Sequence, residues 1–266
     1  GRMIQDCLSW TFEYIHQCQS SKRPIVLLKL DFAKAFDTIE HSSMLEIMRH
    51  MGFDDRWLNW INTLFGSGTS SVLLNGVPGR QFQCRCGMRQ GDPLSPLIFV
   101  LAADLLQAAI NDAHRNGLIS LPIPARGSTD YPVVQYADDT ILLMQACPEQ
   151  ARTMKQILVD YADSIGLKIN FQKSVLVLLN VEDDVVADLA QIWQCSIGSM
   201  PFTYLGLPMG TTRPTMTDLM PMVDKVERKL SSSLCLMDQG SKLTLLNSLI
   251  TSLMIYPMCT IKLPPS

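Results

Sequence analysis

The stretch VVQYADDTILLM, residues 133–144, places two aspartates between two runs of strand-forming residues. The flanking apolar residues predict two β-strands, and residues 137–139 predict the tight turn between them, because aspartate tolerates turn conformations. Adjacent carboxylates repel each other, and partial burial makes their charged forms less favourable still. We therefore expect a cation or hydrogen bonds to compensate Asp138 and Asp139.

A third carboxylate, Asp31, directly follows the apolar run IVLLKL, which predicts a buried strand that ends at this residue. Three carboxylates that meet across adjacent strands would offer oxygen ligands to a hard cation such as Mg²⁺. Taken alone, Asp31 fits better as a solvated strand end or a helix cap than as a metal ligand. Its position in the sequence leaves both alternatives open.

The bulk composition indicates a globular protein. A length of 266 residues with 47% hydrophobic residues predicts a substantial core in one large domain or two small ones. The apolar run at residues 96–106 contains Asp104 and is shorter than the roughly 20 residues of a membrane span, so we expect no membrane segment. The start, GRMIQDCLSW, shows neither a secretory signal nor an initiator methionine. We expect a fragment of a longer chain that is intracellular, in the nucleus, the cytoplasm or both, and not secreted.

Cysteine spacing and net charge exclude two simple classes of function. The eight cysteines show no disulfide-framework spacing, which predicts reduced thiols. Cys84 and Cys86 form an isolated pair without the second ligand pair of a zinc site. The net charge of −3 gives no global electrostatic argument for nucleic-acid binding, so such a function must depend on a local site.

Hydrophobic periodicity predicts a mixed α+β fold whose strands come from distant parts of the chain. Helices are predicted at residues 3–19, 41–53, 54–66, 93–116, 154–165 and 181–195, and strands at residues 24–31 and 174–180. Asn75-Gly76 predicts a hairpin turn, residues 202–210 a short strand-like turn, and residues 117–132 a loop. The tail, residues 218–263, predicts two helices separated near residues 238–240.

Three motifs occur in a fixed order along the chain: LDFAKAFD (30–37), RQGDPLSP (89–96) and YADD (136–139). Together they resemble the palm motifs of reverse transcriptases, and most closely those of non-LTR (LINE-type) retrotransposons of the kind abundant in plants. The agreement of three motifs in order and spacing makes this resemblance specific.

The resemblance extends over nearly the whole chain. GLKINFQKS (166–174) resembles the next motif of that family, and YLGLPM (204–209) resembles its primer-grip turn. GRMIQD (1–6) resembles its entry helix, and residues 242–264 resemble the start of its thumb.

This resemblance implies a right-hand polymerase fold with fingers, an antiparallel-sheet palm and a partial helical thumb. Fingers and palm would interleave over residues 1–212, and residues 213–266 would form the first part of the thumb. The implied function is RNA-directed DNA polymerase, which transfers a nucleotide from a dNTP to a primer 3′-hydroxyl. The implied cofactors are two Mg²⁺ ions, for which Mn²⁺ can substitute. The implied partners are an RNA template, a DNA primer or target, and dNTPs.

The resemblance also implies roles for individual residues. Asp31 and Asp138 would bridge the metals, with Asp139 as a weaker ligand and the Phe32 carbonyl completing one coordination shell. Lys173 would protonate the leaving pyrophosphate. The implied nucleotide-binding residues are Lys34 and Ala35 through their backbone N–H groups, Phe36 as the ring that excludes a 2′-hydroxyl, and Gln90 and Gly91. The implied primer grip consists of Tyr204, Leu205, Gly206 and Leu207.

Plainer alternatives exist for several of these residues. Phe36, Tyr204 and Leu205 could belong to the core, and Lys173 could be a solvated surface lysine. Arg89 and Asp92 could pair, with Asp92 capping the helix that follows.

Other functions also remain open. An RNA-directed RNA polymerase would share the aspartates but require a smaller or polar residue at position 36. A catalytically degenerate module would bind RNA without polymerising. A Mg²⁺-dependent phosphatase would use the aspartates but leave RQGDPLSP unexplained.

Overall fold

The computed structural model describes residues 4–124, 130–212, 214–233 and 238–261. Their helices are α1 (Ile4–Ser20), α2 (Ala35–Thr38), α3 (His41–His50), α4 (Asp55–Gly66), α5 (Ser95–Arg115), α6 (Pro148–Ile165), α7 (Asp183–Trp193), α8 (Met216–Ser233), α9 (Gln239–Leu245) and α10 (Thr251–Met258). Their strands are β1 (Ile25–Leu30), β2 (Thr69–Ser70), β3 (Leu73–Leu74), β4 (Val77–Pro78), β5 (Phe82–Gln83), β6 (Val133–Tyr136), β7 (Asp139–Gln145), β8 (Val175–Leu179), β9 (Ser196–Gly198), β10 (Phe202–Tyr204) and β11 (Leu207–Met209).

The described residues fall into two compact units. The larger unit spans residues 23–197, and the smaller unit combines residues up to 22 with residues from 198 onward. These units are defined by compactness alone and do not assign fingers, palm or thumb. The division into residues 1–212 and 213–266 therefore stays a prediction.

The larger unit is organised around an antiparallel sheet. Within the described residues, five strands pair in the order β6-β7-β1-β8-β9. The central strand β1 pairs antiparallel with β7, where Leu30 lies opposite Thr140, and with β8, where Lys29 lies opposite Val175. A central strand has neighbours on both sides, which explains why IVLLKL is almost continuously apolar. The predicted strand is confirmed at Ile25–Leu30.

One face of this sheet packs against helices to form the core of the larger unit. From the sheet, the core takes Val26, Leu28, Leu30, Leu142, Met144 and Leu176. From α5 and α6, it takes Ile98, Ala102, Leu106, Ile110, Met154 and Leu158. The α5 residues recur every four positions, as expected for one buried helical stripe.

Helix α5 is the one helix among the described residues whose length and apolar composition would allow it to cross a membrane. Its buried stripe lies in the core, which is the alternative explanation for such a composition. The helix begins later than predicted, at Ser95. The reason is that the Asp92 carboxylate accepts a hydrogen bond of 2.8 Å from the Leu94 N–H, which closes a turn ahead of the helix. Arg89 donates to Ser67 Oγ at 3.1 Å.

The predicted hairpin at Asn75-Gly76 is confirmed, because these residues form the two-residue turn between β3 and β4. Both have left-handed backbones, with φ values of 49° and 83°. This conformation matches the twist of hairpin strands and favours the Asn-Gly sequence. The chain segments on either side of this hairpin also pair, as β2 with β5.

The smaller unit contains α1, the β10–β11 hairpin and the last helices. The predicted first helix is confirmed at Ile4–Ser20, with Leu8, Ile15 and Cys18 buried. In the tail, α8 ends at Ser233 and a second helical segment starts after Asp238. That segment continues as α9, one π-helical turn and α10, so it is interrupted where the sequence predicted one regular helix.

Side chains cap both tail helices. The Thr215 N–H and hydroxyl donate to the Asp218 carboxylate at 2.8 and 2.7 Å, and the Asp218 N–H returns a bond to the hydroxyl. This reciprocal pattern is a capping box at the start of α8. Asp238 similarly accepts from the N–H groups of Gly240 and Ser241 ahead of α9.

Parts of four predicted segments lie outside the described residues. These parts are residues 1–3 of GRMIQD, residues 125–129 of the predicted loop, residues 234–237 of the predicted two-helix tail and residues 262–264 of the thumb-like segment. The described remainder of the loop, residues 117–124 and 130–132, contains no helix or strand, as predicted. The seven cysteines within the described residues are free of disulfide bonds.

Candidate active site

Two of the three predicted catalytic aspartates lie side by side at one end of the central sheet. Asp31 directly follows Leu30 at the end of β1, and Asp139 directly precedes Thr140 at the start of β7. Leu30 and Thr140 are register partners, so the strand ends that carry the two aspartates are adjacent. Strand tips more than a hundred residues apart therefore converge, as the sequence predicted.

The turn that carries Asp138 differs in one detail from the prediction. The turn consists of Ala137 and Asp138, whereas Asp139 already belongs to β7 and pairs with Tyr136. Ala137 takes the left-handed position, with φ 52°. The expectation that aspartate would supply the turn conformation through residue 139 was therefore wrong. The observed turn suits a metal-binding site, because the sheet fixes the backbone of Asp139 while Asp138 is exposed at the tip of the turn.

The electrostatics of Asp139 connect all three aspartates. Burial is the largest cause that raises the pKa of the Asp139 carboxyl, and the charges of Asp138 and Asp31 raise it further. Lys29 acts in the opposite direction and lowers that pKa. The like charges of Asp31 and Asp138 thus reach Asp139.

Lys29 is a residue that sequence reasoning missed. It lies in β1, two positions before Asp31, and its charge acts on the Asp139 carboxyl. A single lysine within the apolar run IVLLKL, at this spacing from an aspartate, was the available signal. Its charge partly compensates the Asp139 carboxylate.

The donor set fits a hard divalent cation by its chemistry. Carboxylate oxygens and a backbone carbonyl are the ligands that Mg²⁺ prefers. Among the described residues, no group of three His, Cys, Asp or Glu side chains is arranged to hold an ion as it stands. Asp31, Asp138 and Asp139 would have to turn towards a common point to do so.

The segment GLKINFQKS holds the backbone at Asp31. The Asp31 N–H donates to Ser174 Oγ at 3.1 Å, and the Asn170 N–H donates to the Asp31 carbonyl at 2.8 Å. One step further, the Ala33 N–H donates to the Lys168 carbonyl at 2.7 Å. The segment therefore runs antiparallel beside the chain as it leaves β1. Sequence reasoning named Lys173 in this segment but missed Ser174 and Asn170.

Lys173 and Phe32 occupy different environments. The Lys173 side chain is exposed, and the backbone N–H of Lys173 donates to the Asn170 carbonyl at 3.2 Å. Phe32 is buried and forms an isolated bridge with Ile169. The roles of Lys173 as a proton donor and of the Phe32 carbonyl as a metal ligand stay predictions.

The predicted nucleotide-binding turn follows directly. Lys34 is exposed and left-handed, with φ 51°, and Ala35 is buried at the start of α2. The Phe36 ring is half-buried and stacks on Phe99, with centroids 4.7 Å apart and planes 13° apart. Stacking against the core fixes the ring position, which a steric gate also requires. The roles of the three residues stay predictions.

The RQGDPLSP motif is joined to the LDFAKAFD motif through backbone contacts. The Met88 N–H donates to the Phe36 carbonyl at 2.6 Å, and His41 Nε2 lies 2.7 Å from the Gly87 carbonyl. Gly87 has φ +81°, and a Cβ there would lie 2.7 Å from the Asp37 carbonyl oxygen. Only glycine allows so close an approach with this backbone.

Gln90 and Gly91 follow this junction and are exposed. Gly91 has φ +88° and open space where a Cβ would be, so its backbone requires glycine but no described atom crowds it. A cavity of about 380 Å³ lies beside the junction and is lined by residues that include His41, Phe65 and Arg89. The three aspartates do not line it, and the nucleotide-binding roles of Gln90 and Gly91 stay predictions.

The predicted primer grip is the β10–β11 hairpin of the smaller unit. Leu205 and Gly206 form its turn with φ values of 48° and 80°, while Tyr204 and Leu207 are fully buried. The Tyr256 hydroxyl of α10 donates to the Leu205 carbonyl at 2.8 Å. Buried side chains favour the core alternative for Tyr204, and the role of the turn backbone in holding a primer stays a prediction.

A model of the family described as reverse transcriptase (RNA-dependent DNA polymerase) matches residues 1–209. The chain belongs to the reverse transcriptase family. This match includes the motifs that carry Asp31, Gln90, Asp138 and Asp139. The family expectation from the sequence is therefore confirmed.

Curated relatives come from non-LTR retrotransposons. The chain is 28% identical over 176 residues to a Pol polyprotein of a type-1 R2 element from Popillia japonica, covering 66% of this chain and 24% of the relative. It is 29% identical over 158 residues to the R2DM polyprotein of Drosophila melanogaster, covering 57% of this chain and 13% of the relative. A Xenopus laevis protein of transposon TX1 is 26% identical, covering 65% and 13%. The chain thus spans about a quarter or less of these relatives.

Solved structures of Candida tropicalis telomerase share the fold. An apo structure matches with a TM-score of 0.52 and 12% identity, covering 79% of this chain and 39% of the telomerase chain. A complex with a telomeric RNA fragment matches with a TM-score of 0.51 and 13% identity, covering 85% and 36%. The right-hand polymerase fold expected from the sequence is confirmed.

Proposed function

We propose that this chain is the catalytic core of an RNA-directed DNA polymerase of a non-LTR retrotransposon. The observation that carries the proposal is the convergence of Asp31 and Asp139 at adjacent strand ends, with Asp138 at the intervening tip. Family membership supports the same activity. The substrates are an RNA template, a DNA primer or target, and dNTPs.

The reaction joins a primer 3′-hydroxyl to the α-phosphate of a dNTP and releases pyrophosphate. Bound divalent cations, two Mg²⁺ ions or Mn²⁺ in their place, would activate the hydroxyl and neutralise the charge on the leaving group. Asp31, Asp138 and Asp139 would hold these ions, together with the Phe32 carbonyl. The charges of Asp31 and Asp138 both raise the pKa of the Asp139 carboxyl, and this mutual influence supports the assignment.

The remaining residues of the proposed site bind and orient substrates. Lys34 and Ala35 would bind the triphosphate through N–H groups, and Phe36 would exclude a 2′-hydroxyl. Gln90 and Gly91 would contact the nucleotide and the template base. Lys173 would donate a proton to pyrophosphate, and the Leu205-Gly206 turn would hold the primer end.

An intracellular location, in the nucleus, the cytoplasm or both, is part of the proposal. The free thiols of the described cysteines support it, because reduced cysteines are typical of intracellular proteins.

Primer extension on poly(rA)/oligo(dT) with Mg²⁺ or Mn²⁺ tests the activity. We expect Asp31→Asn and Asp138→Asn to reduce dTTP incorporation by about three orders of magnitude or more, a loss comparable to that of other catalytic groups. Asp163→Asn, which changes an exposed aspartate on α6, should extend primers at the wild-type rate.

Near-normal extension by folded Asp138→Asn would contradict the assignment. A wild-type chain that binds the RNA–DNA duplex without extending it would instead indicate a degenerate binding module. Preference for NTPs over dNTPs would indicate an RNA polymerase.

A further inference from the structure

Ser174 places a buried hydroxyl against the backbone of Asp31. Its side chain is fully buried, with 0% exposure, in a strand–turn junction of the larger unit. Ser174 Oγ accepts the Asp31 N–H at 3.1 Å and donates its own proton to the Asn170 carbonyl at 2.9 Å. Both hydrogen-bonding functions of the hydroxyl are therefore used, as buried polar groups require.

The same short segment also holds the other backbone group of Asp31. The Asn170 N–H donates to the Asp31 carbonyl at 2.8 Å. The regular ladder between β1 and β8 ends at Lys29 and Val175. From that point, residues 170–174 replace a regular strand as the partner of the chain that carries Asp31.

This arrangement acts where orientation matters most. Asp31 is the first residue beyond β1, so the ladder no longer fixes its φ and ψ angles. The Ser174 hydroxyl supplies the missing contact on its N–H side. Catalytic geometry tolerates only small misplacements, and groups that orient metal ligands typically change metal affinity when they are removed.

We propose that Ser174 is a positioning residue, which fixes the Asp31 main chain so that its carboxylate projects towards Asp139 and the metal site. This inference depends on the proposed polymerase function. Asn170 completes the same clamp through its backbone N–H and carbonyl, which a change of side chain other than to proline retains. Ser174 is thus the side chain that tests the clamp.

The test compares Ser174→Ala, Ser174→Thr and Ser196→Ala. Ser196 is the control, because its hydroxyl donates to the Ser174 backbone carbonyl at 3.3 Å, whereas the Asp31 bond uses the Ser174 hydroxyl. Mn²⁺ affinity is measured by electron paramagnetic resonance in the complex with RNA template, DNA primer and a non-hydrolysable dNTP analogue. The Mg²⁺ concentration for half-maximal extension is measured in parallel.

We expect Ser174→Ala to weaken Mn²⁺ binding and to raise the required Mg²⁺ concentration by about 10-fold or more. The KM for primer–template should stay at its wild-type value, because the Ser174 side chain is fully buried and has no surface for nucleic acid. Ser174→Thr keeps the hydroxyl and should restore both values, and Ser196→Ala should match the wild type. A general loss of structure would change KM and thermal unfolding together.

Asp31→Asn separates failure of this inference from failure of the proposed function. If Asp31→Asn binds Mn²⁺ as tightly as the wild type, the metal site itself is wrong and the inference falls with it. If Asp31→Asn loses affinity while folded Ser174→Ala retains it, the positioning role is overturned and the polymerase assignment stands. Should Ser174→Ala unfold, Ser174→Cys keeps the volume with a weak hydrogen-bonding group, and the same criteria apply.

Discussion

At the residue scale, the site brings like-charged carboxylates together and partly compensates their repulsion with a lysine. Burial and two like charges raise the pKa of the Asp139 carboxyl, while Lys29 opposes them. The aspartates could be predicted from sequence because they lie in short motifs whose chemistry is local. Ser174 could not be assigned in the same way, because its contact with Asp31 arises only when distant segments pair.

Phe36 gives a residue-scale prediction about sugar selection. Phe36→Val removes ring atoms but leaves an apolar side chain beside Phe99. We expect the ratio of ribonucleotide to deoxyribonucleotide incorporation to rise by about 10-fold or more, because a pocket that excludes a small group by contact loses that contact. Single-nucleotide incorporation with dTTP and UTP measures the ratio.

Phe36→Tyr is the control for this prediction, since it retains the ring and should retain selectivity. Unchanged selectivity in folded Phe36→Val would leave the aromatic as a core residue only.

At the element scale, the sequence predicted the type of most helices and strands correctly but missed some of their boundaries. Helices and the Asn75-Gly76 hairpin follow from periodicity and turn residues, which are local properties. The start of α5 was missed because a side-chain bond from Asp92 decided it, and the predicted turn at residues 137–139 is one residue shorter because Asp139 pairs in β7 and Ala137 takes the left-handed position. Such choices depend on competing local bonds that periodicity does not report.

The junction of the two motifs at Gly87 gives a stability prediction. Gly87→Ala would place a Cβ 2.7 Å from the Asp37 carbonyl oxygen in a backbone with φ +81°. Strain of this kind costs roughly 1–3 kcal/mol, and the clash adds to it. We expect the free energy of unfolding in urea to fall by more than about 2 kcal/mol, with reduced primer extension.

Gly52→Ala is matched to this variant, because Gly52 has φ +86° with nothing within 4 Å of the added Cβ. It should show the backbone cost alone. Equal losses in the two variants would mean that the close packing on Asp37 is unimportant.

The capping box of α8 predicts acid sensitivity of the smaller unit. Hydrogen bonds from the Thr215 backbone and hydroxyl lower the pKa of the exposed Asp218 carboxyl. Because the folded pKa lies below the unfolded value, this stabilisation is present above about pH 4 and is lost as pH falls through the folded pKa. We expect Asp218→Asn to remove that part of the pH dependence of unfolding between pH 6 and pH 3.

Thr215→Val removes the hydroxyl partner and should lose part of the same acid-dependent stability. A pH profile of Asp218→Asn that superimposes on the wild type would show that the capping box does not titrate with folding.

At the scale of the whole molecule, charge is distributed unevenly along the chain. The net charge is −3, yet residues 56–91 contain four arginines, Arg56, Arg80, Arg85 and Arg89, and no acidic residue, which gives this segment +4. Arg80 and Arg85 are exposed. A local basic segment is what a nucleic-acid ligand requires of a chain without a global positive charge.

This asymmetry predicts how binding responds to salt. Each arginine that contacts a phosphate contributes about one unit to the slope of log affinity against log salt concentration. We expect the double variant Arg80→Gln, Arg85→Gln to reduce the slope for an RNA–DNA primer–template by about two units. Fluorescence anisotropy at several NaCl concentrations measures it.

Arg152→Gln changes an exposed arginine on α6 outside the segment and should leave the slope unchanged. If the double variant keeps the wild-type slope, the basic segment does not lie on the path of the nucleic acid.

The position of β1 at the centre of the sheet also affects how the nascent chain matures on the ribosome. The register partners of β1 are synthesised much later than β1 itself: Leu30 pairs with Thr140, and Lys29 pairs with Val175. At about 5–20 residues per second, β1 spends several seconds without a partner while its apolar side chains are accessible. Chaperones that bind exposed apolar segments would bind β1 during this interval. Fast overexpression should therefore favour inclusion bodies over native protein.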